Sequence, residues 1–163
     1  MNKYVLLIIG ILSLSLSSAC KSTKRETSDL SELRKLIESR SFDIENNWAL
    51  PLRGAQINLV TNDNHLRFRK DSIVIFLPYF GVRQFSGGYN AEAGIRYEGL
   101  LNDLKIDSSH ADKVKLRFET STGTEQIRYI LTMYPNGKSN LQLLMNQRDN
   151  ISYRGFYTDK VVD

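Results

Sequence analysis

The sequence predicts a mainly β domain: a single antiparallel meander forming a curved sheet, barrel or sandwich, with one N-terminal helix. Three observations support this prediction. Apolar residues recur at helical spacing before Ser41 and alternate with polar residues after it. Short turn signals, including Asn-Gly, separate the alternating segments. The chain has 163 residues and one cysteine, which fits a single domain without an internal disulfide.

The first 20 residues form a segment of their own. Lys3 supplies a positive charge, an apolar stretch runs from Val5 to Leu16, and small residues precede Cys20. This order is typical of a signal peptide that ends at a lipid-modified cysteine. We therefore expect residues 1–19 to be a lipoprotein signal peptide. Residues 20–28 would be the acylated Cys20 and a flexible tether, and residues 29–163 one β-rich domain.

Two other interpretations of this segment stay open. Ser17 stands where lipoprotein signals usually have leucine, so the segment could be an ordinary secretory signal or a membrane-spanning anchor. However, the apolar stretch is shorter than the roughly 20 residues that a spanning helix needs. A lone cysteine in a secreted domain also needs a role other than an internal disulfide. Lipidation of Cys20 accounts for both observations.

The first element of the domain is a helix, predicted over residues 29–39. Ser28 is a suitable N-cap and Asp29 favours the first turn. A narrow apolar stripe follows, so we expect the helix to pack on the surface of a sheet. The stripe comprises Leu30, Leu33, Leu36 and Ile37.

Eight strands are predicted after Ser41. Segment 72–80 is apolar on both faces, as in a central strand, and Pro78 sets its end. Thr122-Gly123 and Pro135-Asn136-Gly137 predict hairpins, and residues 62–64 and 70–71 predict further turns. The predicted strands are at 42–44, 57–59, 66–68, 72–80, 114–120, 125–134, 139–146 and 151–153.

One long loop interrupts this pattern, at residues 81–94, and it contains four glycines. Long loops carry function more often than strands do. Aromatic side chains beside arginines can stack on planar or sugar-like ligands, or anchor a protein partner. Alternatively, these aromatics fill the core. The candidate binding residues are Tyr79, Arg83, Phe85, Tyr89, Arg96 and Tyr97.

Three segments resemble a family of small Bacteroidota lipoproteins known as domain of unknown function 4251. They are ALPLRG (49–54), DSIVIFLPYFG (71–81) and ISYRG (151–155). The resemblance implies an envelope lipoprotein with a mostly β domain, and it brings no activity or site residue. Surface-exported lipoproteins of this bacterial group are similar to one another in having acids just after the cysteine. Here Lys21, Lys24 and Arg25 precede the first acid, so we expect an outer-membrane lipoprotein that faces the periplasm.

No motif for catalysis or metal binding is present. His65 and His110 are isolated, and Ser86 lacks the glycine that a nucleophile elbow requires two residues earlier. Glu92 and Glu98 are only a weak carboxylate pair. The net charge of +4 is dispersed, unlike that of a nucleic-acid binder. We therefore expect no enzyme, no cofactor, no metal and no nucleic-acid partner.

The favoured interpretation is a non-catalytic binding or interaction module, attached to the membrane through Cys20. Its partner would be an envelope protein or a small ligand. The alternatives are a structural envelope lipoprotein without a specific ligand and, less favoured, a hydrolase. An exposed apolar patch around Phe85 would favour the binding module.

Overall fold

A computed structural model describes residues 30–82 and 94–159. One helix, α1 (Leu30–Ser39), precedes the strands, so the predicted helix is confirmed from Leu30 onward. The strands are β1 (Ser41–Pro51), β2 (Ile57–Asn58), β3 (His65–Arg69), β4 (Ser72–Pro78), β5 (Gly94–Leu100), β6 (Lys105–Asp107), β7 (Val114–Thr122), β8 (Glu125–Met133), β9 (Lys138–Met145) and β10 (Ile151–Thr158).

The strands form one antiparallel sheet, as the sequence predicts. Their order is β5-β4-β3-β1-β10-β9-β8-β7-β6, and β2 pairs with β1 outside this order. The sheet is therefore a meander whose first strand, β1, also pairs with its last strand, β10. The two edge strands, β5 and β6, are joined only by residues 101–104. Because such a link spans at most about 18 Å, the sheet curves back on itself into a half-barrel that is open between β5 and β6.

Aromatic rings connect the two sides of the half-barrel. Phe42 stacks on Phe68 with ring centroids 4.4 Å apart, and Phe68 meets Phe118 edge-on at 5.7 Å. Phe118 in turn stacks on Tyr129 at 4.7 Å. These side chains come from β1, β3, β7 and β8, and all are almost fully buried. The opposed walls of the sheet therefore share one core, in which paired rings add to the hydrophobic gain.

The helix closes one end of the half-barrel. Leu33 and Ile37 are buried in the core, and the Arg34 guanidinium donates a hydrogen bond to the carbonyl oxygen of Ser108 at 3.0 Å. Leu33 and Leu36 share a surface depression with Gly137 and Tyr157. We call this the helix end. The opposite, open end carries residues 79–82 and the turns after β7 and β9. In the described part of the chain, no helix is long and apolar enough to cross a membrane.

The structure contains two strands that the sequence did not predict, β5 and β6. In β5, Ile95 and Tyr97 face the core, but two glycines obscure the alternation, and β6 has only three residues. Strand β1 is also longer than predicted and reaches Pro51. The 62–64 turn joins β2 to β3, and each of these strands pairs with β1.

Candidate binding site at the open end

The structure describes three of the six predicted binding residues: Tyr79, Arg96 and Tyr97. The other three, Arg83, Phe85 and Tyr89, lie outside the described residues, as do the lipidation candidate Cys20 and the residues Ser86 and Glu92.

Arg96 and Tyr97 are neighbours on β5 and point to opposite faces of the sheet. Tyr97 lies opposite Ile75 and packs against the core, and its hydroxyl donates to the carbonyl oxygen of Leu100 at 3.1 Å. Arg96 is on the outer face, with its guanidinium 4.7 Å from the centre of the Phe76 ring. The strand therefore separates these two predicted binding residues.

Tyr79 connects two loops at the open end. Its hydroxyl lies 3.1 Å from the carbonyl oxygens of both Val82 and Asp149, which share its single donated proton. The backbone N–H of Asp149 donates to the same Val82 oxygen, also at 3.1 Å. Tyr79 thus holds the chain after β4 against the β9–β10 loop, and this contact uses the polar end of its side chain.

Arg148 is the central charged residue of the open end, and sequence analysis missed it. It forms a two-point ion pair with Glu125: Nε lies 2.5 Å from Oε1 and Nη2 lies 2.7 Å from Oε2. Only 11% of the Arg148 side chain and 17% of the Glu125 side chain are exposed. Such pairs in a partly desolvated setting are geometrically specific.

Arg148 also contacts the start of β5 and the end of β4. Its Nη1 donates to the carbonyl oxygen of Gly94 at 3.3 Å, and its guanidinium lies 5.2 Å from the centre of the Tyr79 ring. Val82 and Gly94, the described residues that flank segment 83–93, are therefore held by the consecutive residues Asp149 and Arg148. Both ends of the predicted binding loop are therefore attached to the same two residues of the β9–β10 loop.

A crevice of about 200 Å³ lies beside Arg148, where the half-barrel is open between β5 and β7. Strand β6 pairs with residues 115–117 of β7. The following part of β7, toward Thr122, therefore faces the edge of β5 across the opening. The crevice is smaller than usual sites for whole small-molecule ligands, which occupy about 300–1,000 Å³. It suits a single side chain or a small polar group. Its walls are Gly94, Ile95, Arg96, Thr120, Thr122, Glu125, Ile127, Tyr129 and Arg148.

Two buried tyrosines supply neutral hydroxyl groups near the crevice. Burial raises the pKa of Tyr129 to about 12, and its hydroxyl oxygen accepts a hydrogen bond from Thr120 Oγ1 at 3.2 Å. Burial also raises the pKa of Tyr153 well above its ordinary value, and this hydroxyl donates to the carbonyl oxygen of Pro78 at 2.8 Å. Both groups remain protonated at neutral pH, so they can form hydrogen bonds but do not exchange protons there.

The two histidines lie apart from this site. His65 is half-buried on the outer face of β3, and burial, followed by the charge of Arg67, lowers its pKa. His110 lies in the loop after β6, with Nδ1 3.9 Å from the Asp107 carboxylate. Within residues 30–82 and 94–159, no group of three or more His, Cys, Asp and Glu residues could hold a metal ion.

The fold and the open-end site define a class: a β half-barrel closed at one end by a helix. A family profile described as "Domain of unknown function (DUF4251)" matches residues 24–156. The chain belongs to this family, in agreement with the resemblance of the three sequence segments. Comparison with curated proteins gives no match.

A solved structure supports the same fold. The chain is similar to the crystal structure of a DUF4251 family protein from Bacteroides eggerthii, with a TM-score of 0.60 and 12% sequence identity. The similarity covers 82% of this chain and 91% of that one. At this identity the comparison establishes the shared fold.

Proposed function

We propose that this protein is a lipid-anchored envelope protein whose β domain is a non-catalytic binding module, held at the periplasmic face of the outer membrane. The observation that carries the binding role is the crevice between β5 and β7, next to Arg148. An up-and-down sheet commonly closes into a barrel with no free edge. Among the described strands this sheet is not closed between β5 and β6, and polar groups line the opening.

The chemistry of the crevice supports binding rather than catalysis. Arg148 and Glu125 neutralise each other, and Tyr129 presents a protonated hydroxyl. Because the Glu125 carboxylate is held by Arg148 and the tyrosine hydroxyl stays protonated, these groups favour recognition of a partner by hydrogen bonds. Arg96 extends the site outward, beside Phe76. An arginine over an aromatic ring is a common element of protein interfaces.

Site-specific photocrosslinking in producing cells tests the binding role. A photoreactive amino acid at Arg96 or Thr122 should give an adduct of defined mass, because both residues line the crevice. The same amino acid at Lys70, at the helix end, serves as the matched control and should give none. Adducts at all three positions, or at none, would contradict a specific site and favour the structural alternative.

The lipid anchor is supported by the sequence around Cys20. One acyl chain gives only marginal attachment, so stable anchoring needs more than one chain or a second contact. Cys20→Ser should abolish labelling by a fatty-acid analogue, whereas Ser22→Ala should keep it. Labelling that persists in Cys20→Ser would overturn the anchor. Protease treatment of intact cells tests the orientation, since a periplasmic domain should resist it.

A further inference from the structure

Two adjacent rows of outward side chains cross six strands, from β6 through β7, β8, β9 and β10 to β1. Within each row, successive residues are cross-strand partners, and side chains in such positions lie side by side. We call this surface the outer sheet face. The first row is Asp107, Lys115, Thr132, Asn140, Arg154 and Trp48, and the second is Lys105, Arg117, Ile130, Gln142, Ser152 and Leu50.

This face is strongly basic. Its four cations stand against one carboxylate, Asp107, which already accepts hydrogen bonds from Ser109. The rows therefore hold a net charge of +3, most of the chain's formal charge of +4. No carboxylate of the described chain forms an ion pair with these cations. The four are Lys105, Lys115, Arg117 and Arg154.

Three cations elsewhere on the sheet are in ion pairs. On β3, Arg69 Nη1 lies 2.6 Å from the Asp43 carboxylate and Arg67 Nε lies 3.6 Å from it. On β8, Arg128 pairs with Glu119 at 2.7 Å. The outer sheet face, by contrast, gathers four cations that form no ion pair with a carboxylate of the described chain, and such a cluster attracts an anionic counterpart.

Apolar side chains accompany the cations. The middle part of the rows, including Lys115 and Arg154, lines a shallow groove of about 730 Å³ whose walls include no carboxylate. Leu50 and Ile130 are half-buried in it, and Leu144, which also lines it, is 39% exposed. Trp48, in the first row but outside the groove, is 36% exposed. Lys105 and Arg117 line a neighbouring depression together with Asp103 and Glu119. Lysine and arginine with tryptophan and leucine are the residues that meet lipid head groups and the adjoining acyl boundary.

The position of the chain's N-terminal part makes the membrane the expected counterpart. Arg34, one turn into α1, donates to Ser108, which follows Asp107 at the end of the first row. The first helix of the described chain therefore contacts the domain beside the outer sheet face. Residues 20–29 span at most about 35 Å, so an anchored Cys20 keeps the start of α1 within about that distance of the bilayer.

We infer that the outer sheet face docks on the anionic surface of the membrane to which Cys20 is anchored. The location rests on the proposed lipid anchor, but the affinity of the face for anionic lipid does not. Electrostatic attraction from several cations supplies the second contact that a lipid anchor needs for stable attachment.

Vesicle co-sedimentation of the chain 21–163 tests this inference. The described helix, strands and buried core all lie within 30–159, so this chain contains the folded domain. It should bind vesicles of phosphatidylcholine with phosphatidylglycerol and not vesicles of phosphatidylcholine alone. High salt should release it, because screening weakens surface electrostatics. This chain carries no lipid, so a lack of vesicle binding would not contradict the lipid anchor. Likewise, a lack of fatty-acid labelling at Cys20 would not contradict vesicle binding by the domain.

Charge reversal locates the contact. K115E/R154E should weaken binding to anionic vesicles by at least about tenfold, given the contribution of each cation near such a surface. The control R53E/K70E makes the same charge change at exposed residues outside the rows and should bind nearly as tightly as the parent chain. If K115E/R154E does not fold, K105Q/R117Q removes two exposed cations of the second row instead.

Three outcomes would overturn the inference. Equal weakening by both double variants would show a non-specific charge effect. Equal binding to both kinds of vesicle would show that anionic lipid is not recognised. Binding to soluble polyglutamate without binding to anionic vesicles would assign the face to an acidic macromolecule instead.

Discussion

The side chain of Asn64 holds Asn46 by three hydrogen bonds. Asn64 Oδ1 accepts from the Asn46 backbone N–H at 2.8 Å and from its side-chain amide at 3.0 Å, while Asn64 Nδ2 donates to the Asn46 carbonyl oxygen at 2.9 Å. Both residues are buried. The register of β1 against β10 shifts between Asn46 and Trp48, a β-bulge. Asn64 therefore satisfies backbone groups of Asn46 beside this irregularity.

Asn64→Ala should lower the free energy of unfolding by about 2–4 kcal/mol. The substitution leaves a buried backbone N–H and a buried carbonyl of Asn46 without partners, and each such group costs about 1–3 kcal/mol. Urea unfolding measures the change. Asn58→Ala is the matched control. The exposed Asn58 side chain accepts a hydrogen bond from the Val60 N–H, and water can replace this hydrogen bond in the variant. This substitution should cost less than about 1 kcal/mol. Equal losses would refute the special role of Asn64.

Asn64 also shows how far the sequence leads. Alternation of apolar and polar residues predicts most strands, and the Asn62-Asp63-Asn64 turn is present where expected. Alternation does not reveal that β1 bulges near Asn46, because a bulge depends on the partner strand. Nor does it reveal β6, which is defined only by its pairing with three residues of β7.

The sequence predicted only part of the candidate site, because the rest depends on contacts between distant segments. Tyr79 and Arg96 stand near the glycine-rich segment in the sequence, so local composition could indicate them. Arg148 lies 23 residues after Glu125 and 54 residues after Gly94 in the sequence. They meet only because the meander closes through β1 and β10 while β5 faces β7. No local pattern in the polar segment around Arg148 signals this contact.

Arg148→Met should destabilise the fold by about 2–4 kcal/mol. It leaves the mostly buried Glu125 carboxylate without its partner, and an uncompensated buried charge is costly. The matched control is Arg128→Met, which removes the exposed ion pair with Glu119, whose side chains are 58% and 56% exposed. An exposed pair contributes less than about 1 kcal/mol, so chemical denaturation should separate the two variants clearly.

A double-mutant cycle isolates the Arg148–Glu125 interaction itself. Arg148→Met with Glu125→Gln should recover part of the stability lost in each single variant, because neither charge is then left alone. Additive losses in the double variant would mean that the two residues stabilise the open end independently, contrary to their two-point contact.

Gly155→Ala should cost about 3 kcal/mol in unfolding free energy. A Cβ at this position would collide with the Glu45 carbonyl oxygen and lie 2.6 Å from Asn46 Cα. Both are backbone atoms at the bulge and cannot rotate away, so β1 and β10 would have to separate. Gly99→Ala is the control, since its Cβ would lie 2.9 Å from the Tyr97 hydroxyl, the end of a side chain. A loss at Gly155 no larger than at Gly99 would contradict this account.

The fold should lose stability in alkaline solution as Tyr129 ionises. Burial raises its pKa from 10.0 to about 12, so the folded chain holds this proton more tightly than the unfolded chain does. The contribution of Tyr129 to the free energy of unfolding is therefore constant below about pH 10 and decreases as the pH rises from about 10 to 12. A shift of this size corresponds to about 3 kcal/mol. Tyr153 acts in the same direction.

Tyr129→Phe removes one of these protons and tests the assignment. Near neutral pH it should cost about 1 kcal/mol, for the lost hydrogen bond from Thr120. Between about pH 10 and 12 its unfolding free energy, measured in urea at each pH, should decrease less steeply than that of the parent chain. Phe118→Leu is the control, because it disturbs the ring that stacks on Tyr129 without removing an ionisable group. It should lower stability while keeping the parent's slope, and a Tyr129→Phe curve parallel to the parent would show that Tyr129 does not cause the alkaline loss.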